Sequence, residues 1–271
     1  MLRFELLFTF FVSCCLILPV TIYSNDLALA RRYRISHQYD KAIEILKSPA
    51  LAGNTEAELL LAKIYLDQNK SEEATGIYTK LCGSINSHDC WNEMGIVYLA
   101  AEKYEKAQDC FLRAVSVREK SAGTYSNLAV AYFAQNKRKE AATFYKKAME
   151  MARYNPIYQV NYGVFLIGIK KYTQAKFLLQ KVVLQNEGMF FAELYLGVAH
   201  YHKKEYSSAL LHINKGVEIN PTYYDLYFYR ALVYYKTGDY VNALNDLNTV
   251  DELFPENRKT SKLRRIIKRN L

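Results

Sequence analysis

The residues with reactive chemistry in this chain are few and widely spread. Five cysteines and five histidines stand among 271 residues. His200 and His202 sit two apart on an expected helix. Their side chains then point about 200° apart and cannot share an ion as an i, i+4 pair can. His200 fills a slot held by tyrosine elsewhere in the chain, which makes it a core residue; His37, His88 and His212 stand alone. There is no His-Glu-x-x-His, no Cys-x-x-Cys and no glycine-rich phosphate loop. The acidic residues fall mostly in turns and on outer helix faces, where a solvated charge explains them better than a catalytic dyad. These readings point to no enzymatic activity, no metal and no cofactor.

One pair has spacing suited to a covalent bond. Cys82 should end one helix and Cys90 should begin the next. Adjacent antiparallel helix ends bring Cα atoms to about 5.5–6 Å, a common disulfide separation. In an oxidising compartment the pair can close; in a reducing one it is two small apolar fillers. Cys110, beside Phe111, reads as a buried filler.

The elements around these residues follow a period. Ala107, Ala141, Ala175, Ala209 and Ala243 recur every 34 residues, with Ala74 and Ala42 as earlier, slightly irregular ticks. Twelve before each of the five stands Gly95, Ala129, Gly163, Gly197 or Ala231. Three before stands Tyr104, Arg138, Tyr172, Tyr206 or Tyr240, and four after stands Phe111, Tyr145, Leu179, Ile213 or Leu247. Offsets of three, four and seven share one helical face. Each unit therefore reads as two antiparallel helices, a small residue on one admitting a large side chain from the other. Polar turns such as Lys236-Thr237-Gly238-Asp239 join them, and Pro221 and Pro255 close two units. Such a period marks a solenoid of stacked units.

The pattern resembles the tetratricopeptide repeat. Trp91 to Tyr98, followed by Tyr104, Ala107, Phe111 and Ala114, carries the signature, as does Leu196-Gly197 with Tyr206, Ala209 and Pro221. The resemblance implies an all-α, right-handed superhelical solenoid over residues 25–255. About seven antiparallel helix pairs are expected, strong over 88–255 and weaker over 23–87, where Pro49 interrupts the first unit. It also implies that the first helices of successive units line a concave groove. The groove positions then hold Asn92, Asn127, Asn161, Phe133, Tyr195, Tyr201, Phe228, Tyr229 and Tyr235. Asparagine amides both donate and accept, so Asn127 and Asn161 can clamp a peptide backbone whatever its sequence. Aromatic residues supply large contact areas. The competing reading is that a chain with 24 tyrosines packs some of these between units. A clamp for a C-terminal carboxylate is disfavoured, because the neighbouring slots hold Asn92, Ile96, Ile157 and Asn161 in place of cations.

The ends differ from the middle. Residues 1–24 read as a signal peptide or signal anchor, apolar from Leu6 to Tyr23 apart from Thr9, Ser13 and Thr21. Val12-Ser13-Cys14 leaves a lipoprotein signal as a further option. Residues 256–271 carry seven basic residues against Glu256, a net +6 of the chain's +9. With Leu263, Ile266 and Ile267 on one stripe, this segment reads as a basic capping helix over the last repeat, the sharper alternative being attraction to lipid headgroups. The basic residues do not line the groove, so nucleic acid is not an expected partner.

The expectation is an exported, periplasmic or secreted, monomeric scaffold that binds extended peptides or helices of a protein partner. Membrane association would run through the N-terminus or the basic C-terminal helix. By resemblance to pilus-biogenesis lipoproteins built from the same repeats, a cell-envelope assembly factor is the specific version. The alternative is a structural subunit or spacer of an envelope complex without free-peptide binding.

Overall fold

The computed structural model describes residues 25–117, 121–255 and 259–269, and among these there is no strand. The signal-type segment 1–24 lies outside the described residues. The chain divides between residues 120 and 121 into two compact units.

The first unit holds α1 (25–35), α2 (Tyr39–Leu46), a short 3-10 turn (Pro49–Leu51), α3 (Thr55–Asp67), α4 (Ser71–Ile85), α5 (His88–Ala100) and α6 (Tyr104–Val117). Pro49 heads the 3-10 turn and α2 is only 8 residues long. The second unit holds α7 (Ala122–Ala134), α8 (Arg138–Met151), α9 (Pro156–Gly168), α10 (Tyr172–Gln185), α11 (Phe190–His202), α12 (Tyr206–Ile219), α13 (Tyr224–Thr237), α14 (Tyr240–Leu253) and α15 (Lys259–Ile267). Within each unit, helices pack on their neighbours in chain order. In the second, the first helices of successive pairs also touch: α7 with α9, α9 with α11, α11 with α13.

The period in the sequence is the period of this packing. Ala42, Ala74, Ala107, Ala141, Ala175, Ala209 and Ala243 all have zero exposure. A Cβ at Gly95 would come within 2.5 Å of the Phe111 ring, and one at Gly197 within 2.6 Å of Ile213 and 3.1 Å of the Ala209 carbonyl. Only glycine admits those large side chains at that distance.

Turns and caps fix the helix ends. Asn54, Ser121, Asn155 and Asp239 accept backbone N–H groups at the starts of α3, α7, α9 and α14, satisfying donors that no helical carbonyl reaches. Every turn inside a pair contains one left-handed residue: His37, Asn69, Glu102, Asn136, Lys170, Lys204 or Gly238.

Cys82 and Cys90 are joined across the α4–α5 turn, Cα atoms 5.4 Å apart. Cys110 is a free, buried thiol in the same apolar cluster. At the other end, α15 buries Leu263 and Ile267 against Ala231, Ala243 and Leu247. Arg264 pairs with Asp251 at 2.6 Å and donates to Asn248. Lys262, Arg265, Lys268 and Arg269 are exposed. The helix closes the apolar end of the last pair and turns most of its charge to water.

Candidate functional site

A concavity of the second unit, about 810 Å³, lies along α7, α9 and α11 and is bounded by the turn 186–189. Asn127 of α7, Asn161 of α9 and Tyr195 of α11 all face it. Three successive first helices thus each deliver a polar group at one register position. They sit in register because the repeat places equivalent positions side by side.

Neighbouring groups hold two of these side chains in place. Asn161 Nδ2 donates to Ser126 Oγ at 3.1 Å, so the amide on α9 is tied back to α7. Tyr195 is packed between the α9 and α13 sides of α11, and burial pushes its phenol up to about 12. Like any phenol it is protonated at neutral pH, and burial extends that state into the alkaline range. Burial likewise raises the Tyr145 phenol, which lines the floor from α8. Among the described residues, the only charged group in the lining is Glu187, on the turn.

The walls are apolar. Val130 is 38% exposed, Ile157 53% and Phe191 41%, all lining the same concavity. Val160 and Val164 join them from α9. Amides that both donate and accept thus stand beside an exposed aliphatic and aromatic wall.

The other residues read from the sequence lie elsewhere. Phe133 is wedged under Gly168 and stands edge-on to Phe165. Tyr201 and Tyr229 are half-buried against the α11–α13 core, and Phe228 and Tyr235 against the cluster under α15. Their area goes largely into packing between helix pairs. Asn92 belongs to the first unit, half-buried on α5. Val130 and Val164 occupy one register position, two before the large first-helix residue, so the period itself could have found them. The turn 186–189 could not be found that way, because it lies outside the repeated core.

His212, isolated in sequence, has neighbours in space. Its ring stacks on His200, and it pairs with Glu193 at 2.6 Å. Even so, among the described residues no group of three or more His, Cys, Asp or Glu is placed to hold a metal ion. Also among the described residues, no helix is long and apolar enough to cross a membrane.

Tetratricopeptide-repeat family models match residues 88–153 and 225–257. No curated protein sequence matches. Among solved structures, a tetratricopeptide repeat protein from Parabacteroides merdae ATCC 43184 superposes with TM-score 0.79 at 13% identity, over 91% of this chain and 98% of that one. PilW, described as a widely conserved type IV pilus biogenesis factor, gives 0.65 at 17% identity, over 78% and 98%. PilF of Pseudomonas aeruginosa gives 0.61 at 17% identity, over 80% and 97%. Two matches in separate parts of the chain, joined by one unbroken alanine register, make it a tetratricopeptide-repeat protein.

Proposed function

We propose that this protein is an interaction scaffold that holds an extended peptide or a helix of a partner protein in the α7–α9–α11 concavity. The observation that carries the reading is the convergence of Asn127, Asn161 and Tyr195 on one apolar-walled cavity. A side chain of about leucine size seated on Val130, Ile157 and Phe191 would gain about 1.5–3 kcal/mol from burial alone. The amides would add register and backbone recognition.

The finer version is an exported cell-envelope assembly factor. Its support is the likeness in fold to PilW and PilF, together with the apolar N-terminal segment Leu6–Tyr23. The competing reading, a fixed subunit or spacer, needs no free-peptide site.

The test begins with a photo-crosslinking residue in place of Val130 in the native cell, followed by mass spectrometry to identify the captured protein. Calorimetry then compares Asn127→Ala with Asn161→Ala as a double variant. Losing a clamp amide should cost about 1 kcal/mol per net hydrogen bond, with the melting temperature little changed. A double variant that binds the captured partner as tightly as the parent rules out the amide clamp. Failure of Val130 to crosslink any protein favours the spacer.

A further inference from the structure

A second cleft lies in the same unit and shares no residue with the first. It holds about 470 Å³ and runs between α8 and α10, the second helices of their pairs. Its mouth carries Lys146, Arg153 and Lys181, all exposed, against one carboxylate, Glu150. Among the described residues none of these three cations forms an ion pair. Cations on other faces do pair, as Lys176 does with Glu205, Arg230 with Asp246 and Arg264 with Asp251.

The floor is different in kind. Met149 and Leu178 are half-buried within it. Tyr154 stands at its edge with 93% exposure, the most exposed of the chain's large apolar and aromatic side chains among the described residues. The wall is braced, since Gln159 Nε2 donates to the Arg153 carbonyl at 3.3 Å. An apolar floor under a cationic rim demands a ligand with the opposite arrangement: carboxylates flanking one large apolar side chain.

We propose that this cleft docks an acidic segment of a partner protein, with an aromatic or large aliphatic residue on Met149 and Leu178 and its neighbouring Asp or Glu side chains on Lys146, Arg153 and Lys181. Charge complementarity selects the acidic ligand. The recessed shape selects a protein segment over a membrane, because a flat headgroup layer cannot reach a floor set below its rim. The site goes beyond the groove reading and does not depend on it, since its lining comes from other helix faces.

The experiment uses the full chain and a fluorescein-labelled peptide, Gly-Glu-Asp-Phe-Glu-Asp-Gly, followed by anisotropy. Its amide counterpart, Gly-Gln-Asn-Phe-Gln-Asn-Gly, is the control. The acidic peptide should bind at least about tenfold more tightly than the control, and raising salt from about 50 to about 300 mM should weaken it. Lys146→Glu combined with Lys181→Glu should reduce its affinity by about tenfold or more. Lys146→Gln with Lys181→Gln should reduce it less, and serves if the reversal disturbs folding by circular dichroism. Tyr154→Ala should cost about threefold. No binding up to about 1 mM peptide, or binding that both lysine variants leave unchanged, overturns the proposal. So does binding only to vesicles containing phosphatidylserine, with that binding lost in the lysine variants.

Discussion

The imidazole of His200 lies face to face with that of His212, ring centres 5.4 Å apart and planes 15° from parallel. Each ring has its own carboxylate. His200 Nδ1 meets Glu205 at 2.5 Å and His212 Nδ1 meets Glu193 at 2.6 Å, while Lys176 holds Glu205 from the other side. A carboxylate can only accept, so both Nδ1 atoms carry the proton. Among the described residues His200 Nε2 is buried without a hydrogen-bond partner, which a charged ring would not tolerate.

This arrangement gives a pH dependence with a definite sign. Burial, opposed in part by Glu205, holds His200 below the usual histidine range, and burial alone does the same for His202. The unfolded chain then takes up protons more readily than the folded one as pH falls. Stability is full above about pH 6.5, the unfolded value, and is lost as pH falls toward the lower folded values. Urea midpoints between about pH 7.5 and about pH 5.5 should decline, and His200→Phe should flatten the decline. Glu205 is also held low, first by Lys176, but it acts in the more acidic carboxylate range. A flat profile across the histidine window contradicts the reading.

Arg230 and Asp246 should be the most sensitive charged pair. Two parallel bonds of 2.8 and 2.7 Å join them, and a third guanidinium nitrogen donates to Asn214 at 2.9 Å. Asp246 is only 5% exposed. Asp246→Ala strands a largely buried cation and should cost about 3 kcal/mol, the low end for a broken buried pair. Arg230→Lys should recover little, since an ammonium cannot make the fork. A loss below about 1 kcal/mol in either variant, read from denaturant unfolding, would place the pair among surface bridges.

The close approach of α11 and α12 should tolerate almost no added volume. Gly197→Ala drives a methyl into Ile213, and Ala209→Leu enlarges a side chain with no exposure. Each should cost about 1–3 kcal/mol, the leucine at the upper end or beyond. Thermal melts of the two variants check this, and an unchanged melting temperature for Ala209→Leu would show that the slot has slack.

The left-handed turn residues predict a gain. Lys170 and Lys204 each sit at φ 63°, and the equivalent Gly238 at φ 83°. A side chain there costs about 1 kcal/mol. Lys204→Gly relieves that strain and partly repays it in unfolded-chain entropy, leaving a net gain of about 0.5 kcal/mol. Lys204→Val should lose stability instead, because a β-branched side chain resists this conformation most. Differential scanning calorimetry of both variants tests the pair of signs.

The turns also show what the sequence conceals. The buried alanines, the Gly95–Phe111 contact and the helix pairing were legible because packing repeats them in register. The left-handed residue repeats too, but its identity drifts from His37 to Asn69 to Lys170, so only its position carries the signal. The aromatic positions are harder to read for a related reason. Tyr201 and Tyr235 share a register position with Phe133, yet that position faces the packing between pairs, and periodicity cannot distinguish this from solvent. Asn127, Asn161 and Tyr195 were legible because register alone brings them together. The second cleft was not, since Tyr154 and Arg153 lie in a connection between pairs.

The link between Cys82 and Cys90 bears on how the chain would oxidise. Three pairings are available to the described cysteines, and the one present encloses the shortest stretch of chain, with sequence separation 8. Ring closure favours the shortest path, and burial raises the competing Cys110 thiol to about 11, leaving it almost wholly protonated and a poor nucleophile. In an oxidising compartment the correct bond is therefore also the fastest to form. Local connectivity favours it from the start, and once the helices have stacked the buried, protonated Cys110 no longer competes.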